Sequence, residues 1–183
     1  MNRLKDWCDN VISLDMIYKS NLTNIHDCGR LSNVVLKTTI NSSILQPKDV
    51  IFGLVLLELL SNQKAKLLRT KKSVAAFKTK KHAPISCQVI VRKTSLYEFL
   101  DLFVCVFLPK LPQIRELNKN LIVQSKNALS LGLTNLAIFP QLSKEFDHIP
   151  RDIGITITIN FDSLENDSQL LCLLSQIQFP TIS

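Results

Sequence analysis

One stretch decides how the chain can fold: residues 84–92 read PISCQVIVR and alternate in polarity. Side chains of an extended strand point alternately to its two faces. The side chains expected on the buried face are apolar and are Ile85, Cys87, Val89 and Val91. The pattern predicts a strand over residues 84–92 with one face on a core. Residues 95–107 then predict a buried helix that ends before Pro109, which cannot continue a helix.

The residues before this strand predict two helices and another strand. Residues 48–61 are strongly apolar and follow Pro47, a residue suited to a first helical turn. Residues 34–40 alternate as a strand, with Val34, Leu36, Thr38 and Ile40 on one face. Residues 3–19 predict the first helix. Its expected apolar face consists of Leu4, Trp7, Val11, Ile12, Leu14 and Ile17.

The residues after residue 107 complete the fold class. Residues 129–138 predict a strand or hairpin, and residues 155–159 predict a strand with three isoleucines on one face. Asp162 and Glu165 resemble a capping box at the start of a last helix over residues 164–177. Strands and helices mix without strict alternation. The sequence therefore predicts an α+β fold, with helices on one face of a mainly antiparallel sheet and a long basic loop, as a single domain over residues 1–183.

Composition excludes several classes of protein. A chain of 183 residues with 46% apolar content can form a real core. The five cysteines are odd in number, widely spaced and without a Cys-x-x-Cys pair, which argues against disulfide frameworks and zinc sites. The sequence predicts no metal and no cofactor. The three histidines stand far apart and no phosphate loop or serine elbow occurs, so we expect no enzyme. The apolar stretches are too short to span a membrane.

Positive charge is concentrated in one short segment. The chain has 22 basic and 15 acidic residues, and eight of the basic ones lie between residues 64 and 81, where no acidic residue occurs. They are Lys64, Lys66, Arg69, Lys71, Lys72, Lys78, Lys80 and Lys81. A localised cationic surface is typical of a protein that binds a polyanion. Phe77 lies among these lysines, and it can either stack on a nucleotide or anchor the loop to the core.

Several motifs in register resemble one family, the bacterial-type large-subunit ribosomal protein five, which binds 5S rRNA. The residues that carry the resemblance are 62–64 (NQK), 71–78 (KKSVAAFK), 84–87 (PISC), 91–92 (VR), 96–99 (LYEF), 108–110 (LPK), 138–140 (IFP), 151–158 (RDIGITIT) and 179–180 (FP). The resemblance covers nearly the whole chain. It implies an α+β domain in the central protuberance of the large ribosomal subunit.

The resemblance also implies partners and contact residues. The sheet and its loops would bind 5S rRNA and large-subunit rRNA. A loop would reach P-site tRNA, and another surface would meet small-subunit ribosomal protein thirteen. The implied rRNA-binding residues are Lys37, Gln63, Lys64, Lys66, Arg69, Lys71, Lys72, Ser73, Arg92 and Lys93. The implied tRNA-contacting residues are Ala76, Phe77, Lys78, Lys80, Lys81 and His82.

The chain departs from the family pattern at several of these places. Asn62 replaces a glycine, Lys37 replaces an RNA-contacting asparagine, and Ile90 replaces a threonine. Residues 122–128 retain little of the family's motif. Such divergence, with abundant Asn, Lys, Leu and Ile, is typical of an AT-rich organelle genome. It favours a mitochondrial ribosome, with a plastid or a bacterial cytoplasm as the alternative.

A different class of function also fits a basic chain. An extra-ribosomal interaction protein could bind anionic lipid or an acidic partner through the same charges. A membrane-surface role requires a basic amphipathic helix. Residues 71–81 lack helical apolar spacing and are followed by Pro84, so the sequence favours the ribosomal interpretation.

Overall fold

A computed structural model describes residues 2–39, 47–75, 79–110, 122–125, 127–134, 136, 139–142, 153–164 and 167–179. The helices in these ranges are α1 (Arg3–Trp7), α2 (Ser13–Ser20), α3 (Pro47–Ser61), α4 (Lys93–Leu102) and α5 (Asp167–Gln176). The strands are β1 (Arg30–Thr39), β2 (Lys66–Arg69), β3 (Pro84–Val91), β4 (Ile122–Ser125), β5 (Ala128–Leu133) and β6 (Gly154–Asp162). Over these residues, no helix has both the length and the apolar character needed to cross a bilayer.

The described strands form one sheet in the order β2-β3-β1-β6-β5-β4. The β2/β3 and β4/β5 pairs are antiparallel, and the prediction of an α+β fold is confirmed. The strand predicted within residues 129–138 is β5, which ends at Leu133. Its hairpin partner is the preceding strand β4, which lies outside the predicted range. Residues 137 and 138 lie outside the described residues.

The strand predictions are confirmed by burial. Val34, Leu36 and Thr38 of β1 are fully buried, and Ile40 lies outside the described residues. Cys87, Val89 and Val91 of β3 are buried, as are the three isoleucines at 155, 157 and 159 in β6. Among the described residues, the buried Thr38 hydroxyl has no hydrogen-bond partner. Alternating apolar residues thus turn one face of each strand to a core.

The chain divides into two compact units, the second made of residues 35–91 and 132–157. In this unit α3 packs on β3, where the Cys87 thiol donates to the Val50 carbonyl at 3.6 Å. Burial raises the pKa of the Cys87 thiol to about 11, so it stays protonated at neutral pH. Leu56 and Leu57 are buried on the same helix, while Ile51 and Val55 are exposed. Helix α3 is therefore apolar on its exposed side as well.

The first unit contains residues 1–34, 92–131 and 158–183. Phe103 is fully buried there, and three other phenylalanine rings surround it. Its ring centroid lies 5.9 Å from Phe99, 6.2 Å from Phe107 and 6.4 Å from Phe179. The pair with Phe107 is edge-to-face, and the other two are stacked. These four residues, the aromatic cluster, form a contiguous part of this unit's core.

The predicted apolar face of the first helix is wrong in part. Trp7 is 48% exposed and Leu14 is 50% exposed, whereas Ile12 and Met16 are buried. The cause is a π-helical segment, Cys8–Ile12, between α1 and α2. A π turn inserts an extra residue and changes which side chains face the core. If a single α-helical repeat is applied to both α1 and α2, some exposed residues are therefore assigned to the face that packs on the core.

Two predicted helix boundaries are also corrected. The helix predicted over residues 95–107 starts at Lys93 and continues as a π-helical segment, Phe103–Phe107. Its predicted end is confirmed, since this segment ends at Phe107 and Pro109 lies in a separate 3₁₀ turn, Leu108–Lys110. Helix α5 starts at Asp167 rather than at residue 164.

The capping box predicted at the start of the last helix is wrong for Asp162. This residue ends β6, and Ser163 follows it with φ of 59°. Asp162 is therefore too far from Asp167 to cap α5. Glu165, the other member of the predicted box, lies outside the described residues.

Candidate nucleic-acid interface

The predicted basic segment is an extension of the β2/β3 pair, and we call residues 64–83 the basic hairpin. Lys66 pairs with Gln88 and Leu67 pairs with Cys87. Cys87 faces α3, so Leu67 lies on the same side of the sheet and Lys66 lies on the opposite side. The register shifts between Leu68 and Arg69. β-strand geometry thus points the Lys66 side chain away from the α3 side.

Thr70 ties the two arms of the basic hairpin together. Its N–H donates to the Ala83 carbonyl at 2.9 Å, and its carbonyl accepts from the His82 N–H at 3.1 Å. The Thr70 hydroxyl donates to the Lys80 carbonyl and accepts from the Ala83 N–H at 3.0 Å. His82 adopts a left-handed backbone with φ of 66°. These bonds fix the backbone where the extended pairing of β2 with β3 stops.

A second connection lies further along the basic hairpin. The Val74 N–H donates to the Thr79 carbonyl at 3.3 Å and to the Thr79 hydroxyl at 3.1 Å. The Thr79 N–H donates back to the Val74 carbonyl at 3.1 Å. Residues 76–78 lie beyond this bridge and outside the described residues. The predicted tRNA contacts of Ala76, Phe77 and Lys78 therefore remain predictions, as does the alternative core role of Phe77.

The basic side chains of this hairpin are exposed. This holds for Lys64, Lys66, Arg69, Lys71, Lys72, Lys80 and Lys81. No acidic residue occurs between Glu58 and Glu98 in the sequence. Among the described residues, none of these seven cations forms an ion pair, and the two ion pairs present involve Arg3 and Lys19. The result is a concentration of positive charge that no ion pair within the described residues neutralises.

The turn before β2 holds Gln63 and Lys64 in a defined backbone. Asn62 adopts φ of 51°, and its N–H donates to the Glu58 carbonyl at 2.9 Å. Asparagine tolerates this left-handed conformation better than most residues, so it can stand where the family has glycine. The Ser61 hydroxyl accepts from the Gln63 N–H at 3.2 Å. Gln63 is half-buried and Lys64 is exposed.

Other predicted contact residues lie outside the basic hairpin. Lys37 is exposed on β1, between the buried Leu36 and Thr38, and β1 neighbours β3 in the sheet. Lys37 can therefore bind a phosphate from the unburied face of its strand. Ile90 of β3 is 41% exposed and supplies no hydrogen bond from its side chain.

Arg92 and Lys93 belong to the first unit, and both are exposed at the start of α4. Lys93 has φ of 57°, a conformation that costs energy for a side chain of this kind. Ser73 and His82 in the basic hairpin are also exposed. Their placement permits contact with a ligand.

Thr70 and Thr79 shape the candidate interface, and neither was predicted from the sequence. Each connects the two arms of the basic hairpin, and each stands before a pair of lysines. The repeated triplets Thr70-Lys71-Lys72 and Thr79-Lys80-Lys81 are a signal in the sequence that could have identified them. The pairing itself depends on which residues lie opposite each other, which the triplets alone do not specify.

Comparison with known proteins identifies the chain. The model for the C-terminus of the ribosomal protein uL5 family matches residues 84–181. The large ribosomal subunit protein uL5m of Reclinomonas americana is 31% identical over 98% of both chains. The uL5 proteins of Bordetella avium and Clostridium perfringens are 26% and 29% identical over the same share of each chain. This chain therefore belongs to the uL5 family of ribosomal proteins, and it is a structural protein of the large ribosomal subunit, not an enzyme.

Proposed function

We propose that this chain binds 5S rRNA and neighbouring large-subunit rRNA through the basic hairpin, together with Lys37, Arg92 and Lys93. The observation that carries the proposal is the set of seven exposed cations without ion pairs among the described residues. Such cations displace the counterions of nucleic-acid phosphates, which gives affinity that depends steeply on salt. The Thr70 and Thr79 connections hold these charges in place before RNA arrives, so less ordering is required on binding.

We further propose that two parts of the basic hairpin contact different RNAs. Residues 64–73 would contact rRNA, and residues 76–82 at its far end would reach P-site tRNA. We also propose that another surface meets small-subunit ribosomal protein thirteen across the subunit bridge. Support for these partners comes from the family resemblance and from the bonds of Thr70 and Thr79 that connect the two arms of the hairpin.

We propose that the chain works in a mitochondrial ribosome and as a single domain. The mitochondrial-type uL5m relative supports the location. The boundary between the two compact units falls within β1, β5 and β6, and this supports a single domain. No observation favours the membrane-surface alternative. The described residues 70–75 and 79–83 form a cross-connected loop instead of the amphipathic helix that such a role requires.

Salt-dependent RNA binding tests the main proposal. The change is Lys66, Lys71 and Lys72 to Ala together, measured by 5S rRNA binding over a salt series. We expect the log–log slope to become less steep by about 2 to 3, because each duplex phosphate contact contributes about 0.9. The matched control replaces Lys5, Lys19 and Lys110, which are exposed cations of the first unit. Equal slopes for both triple variants would refute the proposal.

The proposed tRNA role has a separate test. Ribosomes that carry Lys78, Lys80 and Lys81 all replaced by Ala should assemble normally but lose P-site tRNA occupancy. The Lys66, Lys71 and Lys72 variant should instead impair incorporation of the protein into large subunits. Normal P-site occupancy with the first variant would remove the tRNA assignment and leave the rRNA assignment intact.

A further inference from the structure

The first unit contains a cleft of about 520 Å³ that plays no part in the proposed RNA binding. It is lined by α1 and the π-helical segment Cys8–Ile12, by α4 and the π-helical segment Phe103–Phe107, and by the end of α5 with the turn that follows. Its apolar lining residues are Leu4, Trp7, Val11, Val104 and Ile177. Trp7 is 48% exposed, although its indole is among the most costly side chains to leave in water. The volume fits one or two large side chains from a partner.

Two of the segments that line this cleft depart from α-helical geometry. Val11 belongs to the π-helical segment Cys8–Ile12, and Val104 belongs to the π-helical segment Phe103–Phe107. π-helical turns are rare and are frequently found at functional sites. The presence of two π-helical segments at one cleft therefore supports a functional site there, independently of the apolar residues that line it.

The charges at the cleft disfavour RNA and favour a basic protein segment. Arg3 donates to Asp101 and also lies 3.4 Å from the Cys105 sulfur, so the charges of Arg3 and Asp101 offset each other. Asp6 also lines the cleft, and within the described part of the chain it forms no ion pair. One uncompensated carboxylate beside apolar walls repels phosphate and attracts a lysine or arginine.

We infer that this cleft docks a segment of another protein that inserts a large apolar side chain beside Trp7 and places a basic side chain near Asp6. Interfaces of this kind concentrate their binding energy in a few buried aromatic anchors, and tryptophan is over-represented among them. The partner is a protein of the large subunit, separate from the polyanion of the basic hairpin and from small-subunit ribosomal protein thirteen. The inference does not depend on which RNA the hairpin binds.

A photo-crosslinking experiment in intact large subunits tests this inference. A benzophenone amino acid is placed at Asn10, which is exposed and lines the cleft. The control position is Tyr18, which is 81% exposed on α2 and does not line the cleft. We expect a discrete protein crosslink from position 10 that is absent from position 18. Crosslinks to rRNA alone from position 10, or equal products from both positions, would overturn the inference.

Two substitutions then test the proposed contacts in the Asn10 background. Trp7→Ala should lower the crosslink yield about 30-fold, the loss typical of a central anchor. Asp6→Lys should lower it about fivefold to tenfold, because attraction becomes repulsion. Incorporation into subunits and the melting temperature of the free protein serve as controls for folding. If both variants incorporate normally and crosslink as strongly as the parent, the docking site is refuted.

Discussion

The basic hairpin and the aromatic cluster show two opposite ways of using side chains within one chain. The aromatic cluster buries its rings. Phe103 has no exposed surface and packs against the three other rings. The basic hairpin exposes its charged side chains and holds its backbone with bonds from Thr70 and Thr79. Stability is therefore a matter of packing in the first region and of hydrogen bonding in the second. In the basic hairpin, side chains are left free for a ligand.

The largest effect should come from the aromatic cluster. We expect Phe103→Ala to lower the free energy of unfolding by about 3–5 kcal/mol, because it removes a fully buried ring and leaves a cavity. Urea denaturation of the free protein measures this. Leu102→Ala is the control, since this neighbour is 45% exposed and should cost under about 1 kcal/mol. Equal losses for the two variants would contradict the assignment of the core.

A smaller effect is expected where the basic hairpin is held by Thr70. We expect Thr70→Val to lower the free energy of unfolding by about 1–2 kcal/mol, because the Lys80 carbonyl and the Ala83 N–H each lose a partner. Amide hydrogen exchange at residues 79–83 should become faster, and RNA affinity should fall because the charges are less well positioned.

The same substitution at Thr38 should change the free energy of unfolding in the opposite direction. This hydroxyl is fully buried without a hydrogen-bond partner among the described residues, so Thr38→Val should raise the free energy of unfolding by about 1 kcal/mol. Thermal unfolding of both valine variants measures the difference. If both variants shift the free energy of unfolding in the same direction, the hydrogen-bonded hydroxyl of Thr70 and the unpartnered hydroxyl of Thr38 do not differ as we expect.

The smallest effect is expected at the turn that leads into the basic hairpin. Asn62→Gly should change the free energy of unfolding by only a few tenths of a kcal/mol, since both residues tolerate φ of 51°. Asn62→Val should cost about 1 kcal/mol, because a β-branched side chain is strained there. Denaturation midpoints of the two variants test this, and a valine variant as stable as the glycine variant would exclude a left-handed turn.

Local patterns in the sequence were enough to predict β1, β3, β5 and β6, whereas β4 was not predicted. The alternation in residues 84–92 and 155–159 reflects a two-residue period that needs no knowledge of neighbours. The side of α1 and α2 that meets the core could not be predicted from an α-helical period, because the π-helical segment Cys8–Ile12 changes it. The second π-helical segment, Phe103–Phe107, was likewise not predicted from the sequence.

In the candidate site, too, some features could be predicted from the sequence and others could not. Uncompensated lysines are visible in the sequence as charge, so Lys66, Lys71 and Lys72 could be predicted as exposed cations. The role of Thr70 could not, because it depends on Lys80 and Ala83 lying opposite it in the hairpin. Asn62 stood out as a departure from the family's glycine, and only its backbone angle shows why the replacement is tolerated.

The most direct test of the central claim is to ask what the basic hairpin touches in the large ribosomal subunit. A photo-crosslinking amino acid at Lys72 is compared with one at Lys5, both exposed cations, one in each compact unit. Binding of RNA by the hairpin predicts strong rRNA crosslinks from position 72 and few from position 5. Crosslinks from position 72 to proteins alone, or equal rRNA yields from the two positions, would contradict it.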